Sequence, residues 1–166
     1  NDSYAHRSLG YIYRYTGMLS ESIDRMKKAK LLNKNISTTI GMSYIAAGKY
    51  EKAYKAIESN NDDRSTLDLG FQGIIRYRQG RIIKAMEKFN KIHQIDPNSL
   101  NDLWVTTFVA LIEGNIEKGL VAARKFEEYN ISDSEAWFHF GVNYALLGDS
   151  KSSIRCLKRA VNGGYF

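Results

Sequence analysis

Apolar residues recur at steps of three and four along most of the chain, and short glycine-containing breaks separate the periodic stretches. The clearest example runs from position 134 to position 161. Its apolar and small positions are Trp137, Phe140, Gly141, Tyr144 and Leu147, then Ile154, Leu157, Ala160 and Val161. Steps of three and four place such residues on one face of an α-helix. Because Gly148 and Asp149 interrupt the period, the pattern predicts two amphipathic helices joined by a tight turn.

The same succession of helix, glycine and helix occurs four more times upstream. The turn glycines are Gly17, Gly48, Gly80, Gly114 and Gly148, which are 31, 32, 34 and 34 residues apart. A small residue follows each of them after five positions, namely Ser22, Ala53, Ala85, Gly119 and Ser153. Small residues let two helices approach closely, and a glycine at a helix end supplies the positive φ of a tight turn. The turn glycines and the small residues that follow them keep the same period through five cycles. This regularity predicts five repeats of a helix pair.

The repeats are predicted to form a single domain, which we take for a fragment of a longer protein because the chain begins without Met. Their predicted bounds are residues 3–35, 36–64, 65–98, 99–131 and 132–162. The polar run from Asn60 to Asp63 predicts the longest loop, and Ser65 or Thr66 is the expected N-cap of the helix that follows. The spacing of Ser132 and Glu135 predicts a capping box at the start of the last repeat.

The last repeat reads Trp137-x2-Phe140-Gly141-x2-Tyr144, then a glycine turn, then Ser153-x3-Leu157. This order resembles the tetratricopeptide repeat, and the likeness extends over nearly the whole chain. The resemblance implies an all-α solenoid of antiparallel helix pairs that form a right-handed superhelix. It also implies that the first helices of the pairs line a concave groove, which holds a peptide from a partner protein. The fourth repeat departs most from the pattern, since Thr106 and Thr107 replace its Leu-Gly pair.

Composition narrows the class of protein further. One Pro in 166 residues suits a chain that is nearly all helix, and no apolar run approaches the length of a membrane span. The net charge is +6 and the sequence pI is about 9.3, which permits acidic partners including nucleic acid. The basic residues are scattered rather than gathered on one face. Because Cys156 is the only cysteine, an internal disulfide is excluded and a reducing, cytoplasmic location is expected.

The sequence does not predict an enzyme. The three histidines fall in different repeats, and no His or Cys spacing typical of a metal site is present. No glycine-rich phosphate loop is present either, so we expect no metal, no cofactor and no catalytic residue. Cys156 lies on an amphipathic second helix and is interpreted as an inert core thiol.

Residues one step away from the packing stripe of each first helix are predicted to line the peptide groove. They are Arg7, Tyr11, Arg14, Tyr15, Met42, Phe71, Tyr77, Arg78, Trp104, Phe108 and Phe138. Arg14, Tyr77 and Trp104 are the expected hot spots, because interface energy concentrates on such residues. The expected partner is a peptide with an acidic portion for the arginines and an apolar portion for the aromatic residues. The alternatives left open are that individual aromatic residues pack between neighbouring helices, and that the interleaved Arg and Tyr residues bind a nucleic acid.

The end of the chain predicts a further surface. Ile154, Leu157 and Val161 have no following repeat to cover them, and repeat arrays need a polar outer face at each end. We therefore expect weak self-association through the C-terminal helix.

Overall fold

The structure, a computed structural model, describes residues 2–59 and 65–165. Within these ranges it contains ten α-helices and no strand, which confirms the all-α fold. None of the described helices has the length and the apolar character that crossing a membrane requires. The predicted loop from Asn60 to Asp63 lies outside the described residues. The helices fall into two compact units, one in residues 2–59 and one in residues 65–165; the single domain stays a prediction.

The N-terminal unit contains four helices in two pairs. They are α1 (Ser3–Tyr15), α2 (Leu19–Leu32), α3 (Ile40–Ala46) and α4 (Tyr50–Glu58). Helix α1 packs on α2, α3 packs on α4, and α2 also packs on α3. The hydroxyl of Ser22 on α2 donates to the carbonyl of Gly10 on α1 (2.7 Å) and lies 2.8 Å from the hydroxyl of Ser43 on α3. Since Ser22 and Ser43 are fully buried, this hydrogen-bonded contact joins three helices inside the core.

The C-terminal unit contains six helices in three pairs. They are α5 (Thr66–Arg78), α6 (Ile82–Ile95), α7 (Leu100–Glu113), α8 (Ile116–Glu127), α9 (Ser134–Leu146) and α10 (Ser150–Asn162). Each helix packs on its sequence neighbour within a pair, and the first helices α5, α7 and α9 pack on one another in order. The first helices of this unit therefore form one layer, which we call its first-helix layer.

The five turn glycines all adopt the left-handed backbone conformation, as the sequence predicts. Their φ angles lie between 68° at Gly48 and 86° at Gly148. At Gly148 the turn closes with two hydrogen bonds, from Gly148 N–H to the Ala145 carbonyl (3.1 Å) and from Asp149 N–H to the Tyr144 carbonyl (2.9 Å). This Schellman arrangement satisfies carbonyls at the end of the helix and reverses the chain within a few residues.

Glycines within the first helices of three pairs, Gly10, Gly73 and Gly141, let the second helices pack closely. A Cβ atom at Gly10 would stand 2.7 Å from Cγ of Met26, and one at Gly141 would stand 2.8 Å from Cδ2 of Leu157. A Cβ atom at Gly73 would collide with the ring of Phe89. In the fourth repeat Thr107 takes the glycine position and is fully buried. Its hydroxyl donates to the Trp104 carbonyl (2.6 Å), so the buried polar group has a partner.

The helix starts agree with the sequence at one predicted cap and differ at the other. Ser65 is the N-cap of α5, since its side chain accepts a hydrogen bond from Asp68 N–H (3.2 Å). The capping box predicted at Ser132 and Glu135 is wrong. Asp133 caps α9 instead, because its carboxylate accepts directly from Glu135 N–H (2.9 Å). The carboxylate takes over the role assigned to the serine hydroxyl, and the helix begins at Ser134.

Candidate functional site

Helix α1 presents an alternating row of arginines and tyrosines, which we call the arginine–tyrosine face: Tyr4, Arg7, Tyr11, Arg14 and Tyr15. The guanidinium carbon of Arg7 lies 5.1 Å from the ring centre of Tyr4 and 5.9 Å from that of Tyr11. That of Arg14 lies 5.7 Å from Tyr11 and 5.1 Å from Tyr15. Steps of three and four bring these residues onto one side of the helix. Each guanidinium therefore lies within cation–π distance of two rings.

The two arginines of this face differ in exposure. Arg14 is only 5% exposed, and its Nη1 donates to the hydroxyl of Thr39 before α3 (3.0 Å). Arg7 is half-buried, and its buried Nε makes no hydrogen bond to any described residue. Arg14 thus ties α1 to the start of α3, while Arg7 has hydrogen-bonding capacity left.

An aromatic cluster lies within the first-helix layer of the C-terminal unit. The rings of Phe71 on α5 and Trp104 on α7 meet edge to face with centres 4.9 Å apart. The ring of His139 on α9 lies 5.4 Å from Trp104 and 6.0 Å from Phe71. Three successive first helices are therefore joined through one set of ring contacts.

The exposure predicted for several groove residues is wrong. Trp104, Phe108 and Phe71 are 5%, 3% and 5% exposed, and Arg14 is equally buried. The cause is close packing between helices. Trp104 sits over Gly70, where a Cβ atom would stand 3.0 Å from its ring, and Phe108 packs against Phe89 at 6.0 Å between ring centres. These three rings belong to the core, which was the alternative that the sequence left open.

The remaining predicted residues keep some accessible surface. Met42, Tyr77 and Phe138 are half-buried, and Arg78 is exposed. Tyr77 meets Phe108 edge to face at 5.4 Å. Phe138 lies 4.9 Å from the ring of Tyr165. Peptide binding by these residues stays a prediction.

The structure adds neighbours that helix periodicity does not select. Tyr4 extends the arginine–tyrosine face by one step and is 57% exposed; its spacing of three from Arg7 was the available signal. Thr39 and Tyr165 are reached only through contacts between distant segments, so helix periodicity could not identify them. His139 lies on α9, and nothing in its spacing shows that it meets Phe71 and Trp104.

Two observations concern the metal-ligating and thiol side chains of the described residues. No group of three or more His, Cys, Asp or Glu residues within the described ranges could hold a metal ion. Cys156 is fully buried, and burial raises the pKa of its thiol to about 11. A thiol with a raised pKa is a poor nucleophile near neutral pH because little thiolate is present.

Comparison with known proteins identifies the fold of the chain. A family model described as a tetratricopeptide repeat matches residues 134–162, which span α9 and α10. Solved structures of tetratricopeptide repeat proteins superpose on nearly the whole chain. The chain has the tetratricopeptide repeat fold. No curated protein is similar enough in sequence to be matched to it.

Three solved structures illustrate the likeness. MamA is 16% identical, with 97% of this chain and 91% of that chain covered and a TM-score of 0.56. A tetratricopeptide repeat protein from Parabacteroides merdae is 15% identical, with 96% and 66% covered and a TM-score of 0.59. YrrB, described as a tetratricopeptide repeat protein with an unusual peptide-binding site, is 15% identical, with 98% and 86% covered and a TM-score of 0.54. At these identities the likeness shows the fold alone.

The tetratricopeptide repeat fold determines which surfaces of the chain are available for contacts. Repeat folds of this kind expose extended surfaces built from successive helix pairs. The fold does not select a binding residue, which has to be argued from the surfaces of this chain.

Proposed function

We propose that the chain is a non-enzymatic scaffold that binds a peptide segment of a partner protein on the arginine–tyrosine face of α1. The observation that carries the proposal is the Arg7 side chain, which is half-buried and makes no hydrogen bond to a described residue. Its guanidinium lies within cation–π distance of two tyrosine rings. A carboxylate of the partner is the natural acceptor, since charge-assisted hydrogen bonds to arginine are the strong ones.

The tyrosines explain why a peptide rather than a free anion is the expected ligand. Tyr4 is 57% exposed, and Tyr11 and Tyr15 are half-buried, so their rings offer contact area beside the charge. Tyrosine and arginine are the residue types on which interface energy concentrates. A segment that places an acidic side chain on Arg7 and apolar side chains on the flanking rings would use both features.

In the C-terminal unit, the accessible residues Tyr77, Arg78 and Phe138 are the candidates for additional peptide contacts. Of these, Tyr77 meets the buried ring of Phe108 edge to face. We also propose weak self-association through α10, on which Ile154 and Val161 are 55% and 48% exposed. The cytoplasmic location inferred from the single cysteine stays a prediction.

The experiment selects ligands from a displayed library of short peptides that combine acidic and aromatic residues, and then measures the affinity of the selected peptides for variants. Arg7→Gln and Tyr11→Ala should each weaken binding by about thirtyfold, which corresponds to a hot-spot cost of ~2 kcal/mol. Lys28→Gln is the matched control for charge, because Lys28 is exposed on α2, and it should leave the affinity unchanged.

A single-stranded oligonucleotide is titrated alongside the peptides. Nucleic-acid binding falls by about one log unit per phosphate contact for each log unit of salt, whereas peptide binding through one carboxylate should change far less. Tight oligonucleotide binding with a steep salt slope would favour the nucleic-acid alternative. Selected peptides that bind Arg7→Gln and Tyr11→Ala as tightly as the wild type would refute the proposed site.

A further inference from the structure

The fold sorts the charges of the C-terminal unit between its first and second helices. The first helices α5, α7 and α9 carry two lysines or arginines and four acidic residues, whereas the second helices α6, α8 and α10 carry ten and three. Helix α10 contains four of these basic residues and no acidic residue. The basic residues that are scattered along the sequence are therefore concentrated, within this unit, on the second helices.

Each second helix of this unit presents two exposed lysines together with one exposed aliphatic residue. We call these nine residues the lysine–aliphatic face: Lys84, Lys91 and Ile83 on α6, Lys118, Lys125 and Val121 on α8, and Lys151, Lys158 and Ile154 on α10. At 100° per residue, the three residues of each helix lie within about 100° of arc. Phe89 and Phe126, which contact first helices, are 1% and 2% exposed. The face therefore points away from the first-helix layer.

The charge of this face is largely uncompensated. Five of its six lysines make no hydrogen bond or ion pair with a described residue, and the sixth, Lys118, is paired with Glu113 (2.8 Å). Two of the three acidic residues on the second helices are offset by arginines: Glu117 by Arg124 (3.2 Å) and Glu127 by Arg155 (2.6 Å). Glu87 of α6 and Glu128, which follows α8, are the exposed carboxylates that remain. The face thus keeps an excess of positive charge.

The apolar part of the face is aliphatic and well exposed. Ile83, Ile154 and Val121 are 78%, 55% and 42% exposed. The exposed residues of α6, α8 and α10 include no phenylalanine, tyrosine or tryptophan, since Phe89 and Phe126 are buried. Proteins that bind single-stranded nucleic acid stack its bases on aromatic rings beside their positive charges. This face offers lysines and aliphatic groups instead.

We propose that the lysine–aliphatic face docks on the surface of an anionic lipid bilayer. Lysines at such a surface keep their ammonium groups among the headgroups, while aliphatic side chains enter the boundary with the acyl chains. The phosphates of a nucleic acid would match the lysines but would leave Ile83 and Val121 in water, whereas a bilayer removes them from it. The inference goes beyond the proposed function, because it concerns a lipid partner and helices other than α1. Since Ile83 and Val121 lie on α6 and α8, it also extends beyond the self-association surface of α10.

The probe is a phosphatidylcholine vesicle that contains about 30% phosphatidylserine as the anionic lipid, and flotation measures the binding of the whole chain. Each lysine near an anionic bilayer strengthens binding by about fivefold. Lys84→Gln combined with Lys91→Gln should therefore weaken binding by roughly twentyfold. Lys52→Gln combined with Lys55→Gln is the matched control, because these lysines are exposed on α4, a second helix without an exposed aliphatic residue. The control pair should change binding by less than about threefold.

A fluorescent reporter tests whether the aliphatic residues reach the lipid. The native Trp104 and Trp137 are 5% and 3% exposed, so brominated acyl chains should quench Ile83→Trp much more than the wild type. Leu67→Trp, at a 46% exposed position of α5, should resemble the wild type. The proposal is overturned by binding that does not need phosphatidylserine, by equal losses in the two lysine pairs, by equal quenching of the two tryptophan variants, or by a duplex oligonucleotide that binds more tightly than the vesicles. Arg7→Gln should bind vesicles like the wild type, which keeps this outcome independent of the arginine–tyrosine face.

Discussion

Trp137 illustrates how much a single side chain contributes to the last repeat. It is 3% exposed, and its indole N–H donates to the Ile131 carbonyl (3.1 Å). The guanidinium carbon of Arg159 lies 3.7 Å from its ring centre, and Phe126 meets it edge to face at 5.3 Å. One residue of α9 therefore contacts α8, α10 and the segment that precedes its own helix.

Trp137→Ala should lower the free energy of unfolding by about 3–5 kcal/mol, the usual cost of truncating a large buried side chain. Chemical denaturation measures the change. Because contacts in repeat folds run between neighbours, hydrogen exchange should show the largest loss of protection in α8, α9 and α10. Ile83→Ala is the control, since Ile83 is 78% exposed and should cost little. A harmless Trp137→Ala would contradict the register assigned to this repeat.

The burial of individual side chains is a property that the sequence did not predict. Trp104 and Phe108 lie one step from the packing stripe of α7, and helix periodicity alone cannot tell a groove from the seam between two first helices. Their burial depends on partners far along the chain, Gly70 for Trp104 and Phe89 for Phe108. Tyr4 and Arg7, in contrast, contact residues on their own helix, and such local contacts can be predicted from spacing.

At the scale of elements, α10 is attached to the preceding pair through one acidic residue of α8. The carboxylate of Glu127 accepts from the Tyr144 hydroxyl of α9 (2.6 Å) and from Arg155 of α10 (2.6 Å). Cys156, the next residue of α10, is fully buried. Burial, followed by the nearby Glu127 carboxylate, raises the pKa of this thiol from 9.0 to about 11.

This raised pKa makes stability depend on alkaline pH. The folded state holds the thiol proton more tightly than the unfolded state, so the contribution is complete below about pH 9 and is lost as the pH rises to about 11. Tyr144 acts in the same direction, because burial and its hydrogen bond to Glu127 raise its pKa. Urea unfolding at about pH 8 and about pH 10.5 should show a fall in stability that is smaller in Cys156→Ala. Equal falls in both proteins would contradict the assignment.

Helices and turns were the most predictable level of this molecule. The regularly spaced turn glycines identified all five turns, because a positive φ at a helix end is a local property that strongly favours glycine. The cap of α9 was misassigned, since Asp133 and Ser132 are adjacent residues that can both accept from the first turn.

At the scale of the whole molecule, the exposed side of α10 is the surface with the clearest consequence for assembly. Ile154 is 55% exposed, whereas Leu120, its counterpart 34 residues earlier, is half-buried. Helix α8, which carries Leu120, packs on α9 of the following pair. Leu157 contributes less to this surface than the sequence predicts. It contacts the Gly141 position of α9, where a Cβ atom would stand 2.8 Å away.

We therefore expect sedimentation velocity to show weak, concentration-dependent self-association. Ile154→Lys should reduce the association, because a charge would be placed on the apolar contact. Ile83→Lys provides the matched control, since Ile83 is at least as exposed but lies on α6. A monomer at every concentration, or an equal effect of the two lysines, would exclude association through α10.

The turn glycines also determine which chirality of amino-acid residue could replace them. A Cβ atom added at Gly17, Gly48, Gly80, Gly114 or Gly148 would find no atom within 4 Å, so space does not restrict these sites. The restriction is chiral, because positive φ opposes an L-residue and suits its mirror image. A chain made by chemical ligation could carry D-alanine at all five turns. It would lose the excess freedom of glycine in the unfolded state while keeping every turn as it is.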